Sequence, residues 1–284
     1  MAANRLTLKR WLELYGLYAK MDLAWFFRDT KFCLMAICAD LISNIAAVTG
    51  IFLLAWRFDG VGGMGKYEVL FMLGYVTVIT GIYQLFFSSF NTGHISRRIG
   101  RGQWEHMMIQ PIPIPVQLLV EGFIPVSGSS NFLAGGTLVA IAVANLDIHL
   151  TWWWIASFAG SVLISMIILL SLSYLFSAAA FYAPAQAEEI SSYVLDSTGE
   201  LSKYPLSGMG LAIQIPLLTL FPAGLLGWFP SQALLGKPPL GLTPLYPCLV
   251  AGLLFFITKQ VFMKGLDHYV KAGTNRYSSV GHRR

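Results

Sequence analysis

Charge is what this chain of 284 residues has least of: Lys, Arg, Asp and Glu make up 12% of it, about half the share found in a soluble globular domain. Hydrophobic residues supply 56%, and the mean hydropathy is +0.63. This balance excludes a disordered chain, which needs low hydrophobicity. It also excludes a nucleic-acid-binding domain, which needs basic residues clustered on a soluble face. Cysteine is scarce too. Cys33, Cys38 and Cys248 give neither a disulfide framework nor a metal site, and all read as packing residues. Phosphate-binding motifs are missing: neither G-x-x-x-x-G-K-[ST] nor G-x-G-x-x-G occurs. The chain has no ATP site of its own, so its energy comes from a gradient or from a partner subunit. The first twenty residues are basic with no apolar run behind them, and do not read as a signal peptide.

What the sequence does have is membrane-length apolar stretches. Six lie at about 32–56, 68–90, 116–143, 152–181, 208–229 and 243–263, and spanning about 30 Å of hydrocarbon takes about 20 such residues. The expected fold is an all-α membrane protein with six transmembrane helices over 32–263, followed by a polar tail over 264–284. Lys and Arg orient it. With the N-terminus in the cytoplasm, only Arg57, Lys66 and Lys237 of the 19 basic residues fall outside, which by the positive-inside rule puts both termini in the cytoplasm. This count places Lys203 in a cytoplasmic loop over 182–207. Before the first span, Leu8, Trp11, Leu12, Tyr15, Tyr18 and Ala19 recur at helical spacing with Lys9, Arg10, Glu13 and Lys20 largely between them. Residues 1–31 therefore read as an amphipathic interfacial helix on the lipid bilayer; a soluble helix docked on a partner is the alternative.

Candidate chemistry inside the spans is sparse. Ser127, Ser129 and Ser130 lack a base, because all five histidines map to loops or tails, so no catalytic residue is assigned. Asp40, Ser43 and Asn44 share one side of the first span; an ionised Asp at that depth costs roughly 2.5–3.5 kcal/mol and has to face protein or water. In the second span Gly74, Thr77, Gly81, Gln84 and Ser88 advance by threes and fours. Such a small and polar stripe is either a helix–helix contact or part of a substrate path. Gln214 and Glu121 are further candidates for that path.

The loop over 91–115 is the most informative. Ile95, Arg98 and Ile99 describe one short helix. After a break at Gly102, Trp104, Met107 and Met108 describe a second, which the prolines at 111, 113 and 115 separate from the third span. Apolar residues there suggest docking for another protein; a helix packed back on the membrane surface is the alternative.

The spacing of Ile95, Ile99, Gly102, Trp104, Glu105, Met107, Met108 and Pro111 resembles the stretch after the second membrane helix of type-2 ATP-binding cassette (ABC) transporter permeases. Tyr204-Pro205, Ile215-Pro216 and Phe229-Pro230-Ser231 resemble one bacterial branch of that family. Trp104 departs from it, standing where Leu or Phe is usual. The resemblance implies a bacterial inner-membrane exporter subunit, with ATP and Mg bound by a partner ABC ATPase dimer. It also implies a second permease subunit, in a heterodimer more readily than a homodimer. The coupling helix to the ATPase would use Ile95, Arg98, Ile99, Arg101, Gly102, Trp104, Glu105 and Met108. A path between the first, second and fifth spans would engage Asp40, Asn44, Thr77, Gln84 and Gln214. The 216–247 segment would cap the exit, and cargo would be amphipathic, lipid-linked or drug-like. A gradient-driven secondary transporter is the competing reading; it would show two related halves, and none are visible.

Overall fold

The computed structural model describes residues 8–87, 103–111, 114, 117, 123, 125–243 and 245–272. Ile95, Arg98, Ile99, Arg101, Gly102 and Glu121 lie outside the described residues, as do the side chains of Asp40 and Asn44. Those described form helices and no named strand.

Helix α1, Leu8–Arg28, is followed directly by α2, Thr30–Arg57. Asp29 separates them by capping α2, its carboxylate accepting from the Phe32 amide at 3.3 Å. A tight turn with positive φ at Asp59, Gly60, Gly62 and Gly63 then leads into α3, Lys66–Phe87. The short α4, Gln103–Ile109, precedes α5, Pro125–Asn145, and α6, Trp152–Ser177. A 3₁₀ turn over Ala178–Phe181 extends α6. Beyond it come α7, Pro184–Leu201, α8, Leu211–Leu218, α9, Trp228–Leu234, and α10, Leu245–Ala272.

Hydrogen bonds between the long helices fix their directions. Tyr75 and Tyr83 of α3 pair through their hydroxyls with Ser165 and Ser173 of α6, both at 3.0 Å, so α3 and α6 run parallel. The Thr258 hydroxyl of α10 donates to the Ser171 carbonyl of α6 at 2.9 Å, and Gly265 lies against Ala178 and Phe181, so α10 is parallel to both. We call the end where these three helices begin the head and the other the base. Helix α5 runs the opposite way, packed so closely on α3 that Gly74 meets Val139, Gly81 meets Phe132 and Gly135 meets Val78 at backbone distance. Residues 69–79 of α3 are buried throughout.

Two sequence expectations need correction. The stretch 182–207 is not a loop. Helix α7 starts with proline in its first turn, where a missing N–H costs nothing, and climbs the bundle. Ala187 sits in the base cluster. The Ser202 carbonyl lies against Gly227 beside Val76, midway along α3, and Gly208 touches Gly62 at the head. Lys203 is therefore well away from the base. Hydropathy missed α7 because Glu188, Glu189, Asp196 and Glu200 dilute its apolar residues.

The second correction concerns 208–229, which is not one continuous span. Helix α8 contains Pro216 and ends within two residues of it, and Pro222 and Gly227 flank the 3₁₀ turn that follows. Helices α8 and α9 are bent by 73°. Their junction dips to the depth of Ser165, whose hydroxyl donates to the Leu225 carbonyl at 3.2 Å. Helix α9 then returns to the head, where the Trp154 indole donates to the Leu234 carbonyl at 3.1 Å.

Among the described residues, α2, α3, α6 with its 3₁₀ extension, and α10 are long and apolar enough to cross a bilayer, and the α8–α9 pair is a fifth if counted as one broken span. Helix α5 begins at Pro125, later than the expected 116, and α10 continues to Ala272, beyond the expected end at 263.

The α3–α5 contact gives a paired test. A Cβ on Gly135 would sit 2.5 Å from the Val78 amide nitrogen, whereas one on the next residue, Gly136, meets nothing within 4 Å. Gly135→Ala is expected to cost about 1–3 kcal/mol by overpacking, and Gly136→Ala to be neutral or to stabilise by up to about 1 kcal/mol. Thermal unfolding of the two variants in detergent measures the difference.

Candidate functional site

The base of the bundle is built around α4. With seven residues it is too short to hold itself in water, and tertiary contacts hold it. Trp104 is 0% exposed and Met107 is buried with it, among Ala178, Ala180, Phe181, Ala187 and Tyr269. The Trp104 ring lies 5.4 Å from Phe181 and 6.3 Å from Phe262, both edge-on. Phe181 in turn meets Phe262 at 5.1 Å and Tyr269 at 5.7 Å. Two polar bonds complete the seat: the Tyr269 hydroxyl donates to Glu105 Oε1 at 3.0 Å, and Gln117 Nε2 donates to the Met107 carbonyl at 3.0 Å.

This alters the sequence expectation for α4. The apolar patch read as surface is divided between two faces. Trp104 and Met107 point inward, and Met108 packs partly against the same cluster. Ile109 is 79% exposed, and His106, Gln110 and Pro111 are exposed around it. Alternation of apolar residues within one helical turn announces both faces without saying which is covered. The Trp at position 104 is the inward anchor, in a pocket made by rings from α6 and α10.

Helix α1 flanks this end. Tyr15 packs against Trp11 and, edge-on at 5.3 Å, against Phe123 just ahead of α5. Burial pushes the Tyr15 hydroxyl above its ordinary pKa.

Of the residues expected along a substrate path, Thr77 and Gln84 share one helix contact and Gln214 lies in another. Thr77 is buried in the α3–α5 contact, its hydroxyl donating to the Leu73 carbonyl at 2.7 Å. Gln84 accepts a hydrogen bond from Asn131 across the same contact. Gln214 lies in the bent α8–α9 unit, its amide nitrogen donating to the Leu206 and Met209 carbonyls at 2.9 and 2.6 Å. With Ser207, Trp228, Gln232 and Pro239 it lines a cleft of about 230 Å³ near the head.

Sequence reasoning missed the polar face of α7. Glu189, Tyr193, Asp196 and Glu200 follow one another by four, three and four residues, and all are exposed, while Ala187, Ser191 and Thr198 are buried on the other side. Glu200 is paired with Lys203 at 2.7 Å. The helical spacing of these acids was legible in the sequence; their depth in the bundle was not.

The sequence profile of a family described as ABC-2 family transporter protein matches residues 41–273. Comparison with curated proteins and with solved structures returns no match.

The seat of α4 is testable by itself. Trp104→Ala removes the central ring, a loss of about 3–5 kcal/mol for a buried aromatic, and is expected to speed amide exchange across 103–109 by at least about tenfold. Ile109→Ala, on the open face, is expected to leave that exchange unchanged. Hydrogen–deuterium exchange of the purified chain distinguishes them.

Proposed function

Since this chain belongs to the ABC-2 transporter family, as the match over 41–273 shows, we propose that it is the membrane permease subunit of an ATP-driven exporter, coupled through α4 to a separate ABC ATPase dimer that binds the ATP and Mg. One observation supports this above the rest: a helix seated rigidly at the base of the bundle by Trp104 still presents Ile109, His106 and Gln110 outward. A secondary transporter has no need of such a face. For hydrolysis to do work, the ATPase has to bind one permease conformation more tightly when ATP is present, since equal affinity shifts no population. A firmly seated α4 makes the ATPase sense that conformation.

In this reading the chain crosses the bacterial inner membrane six times, by α2, α3, α5, α6, α7 and α10, with the base and both termini in the cytoplasm. The parallel run of α6 and α10 supports it, because the chain between them has to return once. The α8–α9 unit then enters from the outer side as a re-entrant element and caps the exit. A second permease subunit, a different chain more readily than a second copy, covers the polar face of α7 across a hydrated path. Carboxylates at that depth are tolerated only toward protein or water, so Glu189, Asp196 and Glu200 favour α7 as a wall of the path. We assign Asp40 and Asn44 of α2 to the same path, with Thr77 and Gln84 in the helix contact behind it and Gln214 near its outer end. Cargo is amphipathic, lipid-linked or drug-like, moved outward.

Affinity purification in mild detergent with mass spectrometry tests the assembly. A stoichiometric ATPase with a second permease is expected, and Ile109→Asp is expected to lose at least about nine-tenths of the ATPase. An ATPase without a second permease means a homodimer, and none with the unsubstituted chain overturns the docking assignment. The path has its own test in a background lacking Cys33, Cys38 and Cys248. Asp196→Cys is expected to react with a water-soluble thiol reagent in membranes, and Leu253→Cys, on the outward apolar face of α10, to resist it. Equal protection of both removes α7 from the path.

A further inference from the structure

The side chains that seat α4 belong mainly to α6 and α10, and this determines where any movement of α4 goes. Phe181 closes the base of α6, and Phe262 and Tyr269 lie on the last turns of α10. Gly265 lets α10 approach so closely that a Cβ there would stand 2.7 Å from the Phe181 ring. Higher up, the Thr258 hydroxyl ties α10 to the Ser171 carbonyl at 2.9 Å. Helix α4, the base of α6 and the last half of α10 therefore form one packed body.

Within that body the contacts differ in kind. Edge-on ring contacts hold Trp104, and through it the seven-residue α4, against α6 and α10. The bond from the Tyr269 hydroxyl to Glu105 Oε1, at 3.0 Å, is directional. Glu105 follows the inward Trp104 directly, and His106 and Ile109 lie on the open side. Fixing Glu105 fixes the angle at which that open side is presented.

We infer that Tyr269 is a positioning residue for coupling: its hydrogen bond to Glu105 sets the rotation of α4 and passes movement of α4 directly to α10, the last long helix. This rests on the docking reading of α4. The link joins residues 164 apart in the chain and bypasses the proline-bearing connection from α4 to α5. A push on α4 then swings α10 together with α6, and the exposed outer length of α10 moves with them.

The test uses the full chain purified with its ATPase in lipid nanodiscs, with the native cysteines replaced and spin labels at Lys31 of α2 and Lys271 of α10, both exposed. The distance between the labels is measured before and after trapping with MgATP and vanadate. The unsubstituted chain is expected to show a shift. Tyr269→Phe keeps the ring and the bound ATPase, and is expected to lose at least half of that shift. Glu105→Gln keeps an acceptor and is expected to behave as the unsubstituted chain. Glu105→Leu is expected to match Tyr269→Phe, with the double variant no worse than either single one. An undiminished shift in Tyr269→Phe, or losses that add in the double variant, overturns the inference while leaving docking intact, and so does an α10 that stays still with the ATPase bound. If no ATPase accompanies the unsubstituted chain, the docking reading fails and this inference with it.

Discussion

Three long helices, α3, α6 and α10, point the same way, and the rest of the architecture answers to that constraint. Their alignment is recorded in matched hydrogen bonds: Tyr75 to Ser165 and Tyr83 to Ser173, a constant 90 residues apart, and Thr258 to the Ser171 carbonyl. Parallel helices joined in sequence require a return in between. Between α3 and α6 the return is α5, apolar and pressed against α3 through glycines. Between α6 and α10 it is α7, polar on one side and leading into a bent unit at the head. The two returns do the same topological work with opposite compositions.

That contrast follows from what each return touches. In lipid there is no hydrophobic drive between helices, so packing and hydrogen bonds hold them together. Helix α5 meets α3 along a surface of Gly74, Gly81 and Gly135, small enough for backbones to close on each other and gain dispersion energy. Helix α7 turns Ser191 and Thr198 inward, and both spend their hydroxyls on carbonyls one turn back in α7 itself, at 2.6 and 2.7 Å. It brings small residues to its neighbours and leaves its carboxylates outward.

How much of this was legible beforehand depended on which physical signal each element carries. Long apolar runs announced α2, α3, α6 and α10 because hydropathy measures the property that puts a helix in lipid. The stripe of Gly74, Thr77, Gly81 and Gln84 announced a close contact, since small residues at helical spacing admit a neighbouring backbone, although not that α5 was the neighbour. Helix α7 was not legible, because the window that finds spans averages its acids against its apolar residues. The unbroken span expected over 208–229 failed for the converse reason: apolar content there is high, but Pro216 and Pro222 interrupt the ladder that a crossing needs. At the candidate site the short helix after residue 102 was legible from its apolar residues, and the burial of Trp104 was not. Only the fold brings Phe181, Phe262 and Tyr269 around residue 104.

The base cluster and the main core are separate assemblies of buried side chains, and that separation has a mechanical meaning. A single continuous core resists change everywhere, because close-packed interiors transmit strain without yielding. Here α6, α7 and α10 run across the boundary between two such cores. Above it, α3 is clamped by α5 and by the two Tyr–Ser pairs; below it, Trp104 and its rings bind α4 into a small rigid unit. Helices α6 and α10 reach the head, where α9 is bonded to Trp154 of α6 at 3.1 Å and the Tyr246 hydroxyl of α10 to the Leu218 carbonyl of α8 at 2.9 Å. The bent α8–α9 unit is thus tied to the same two helices that hold α4, so unbroken helices connect base and head.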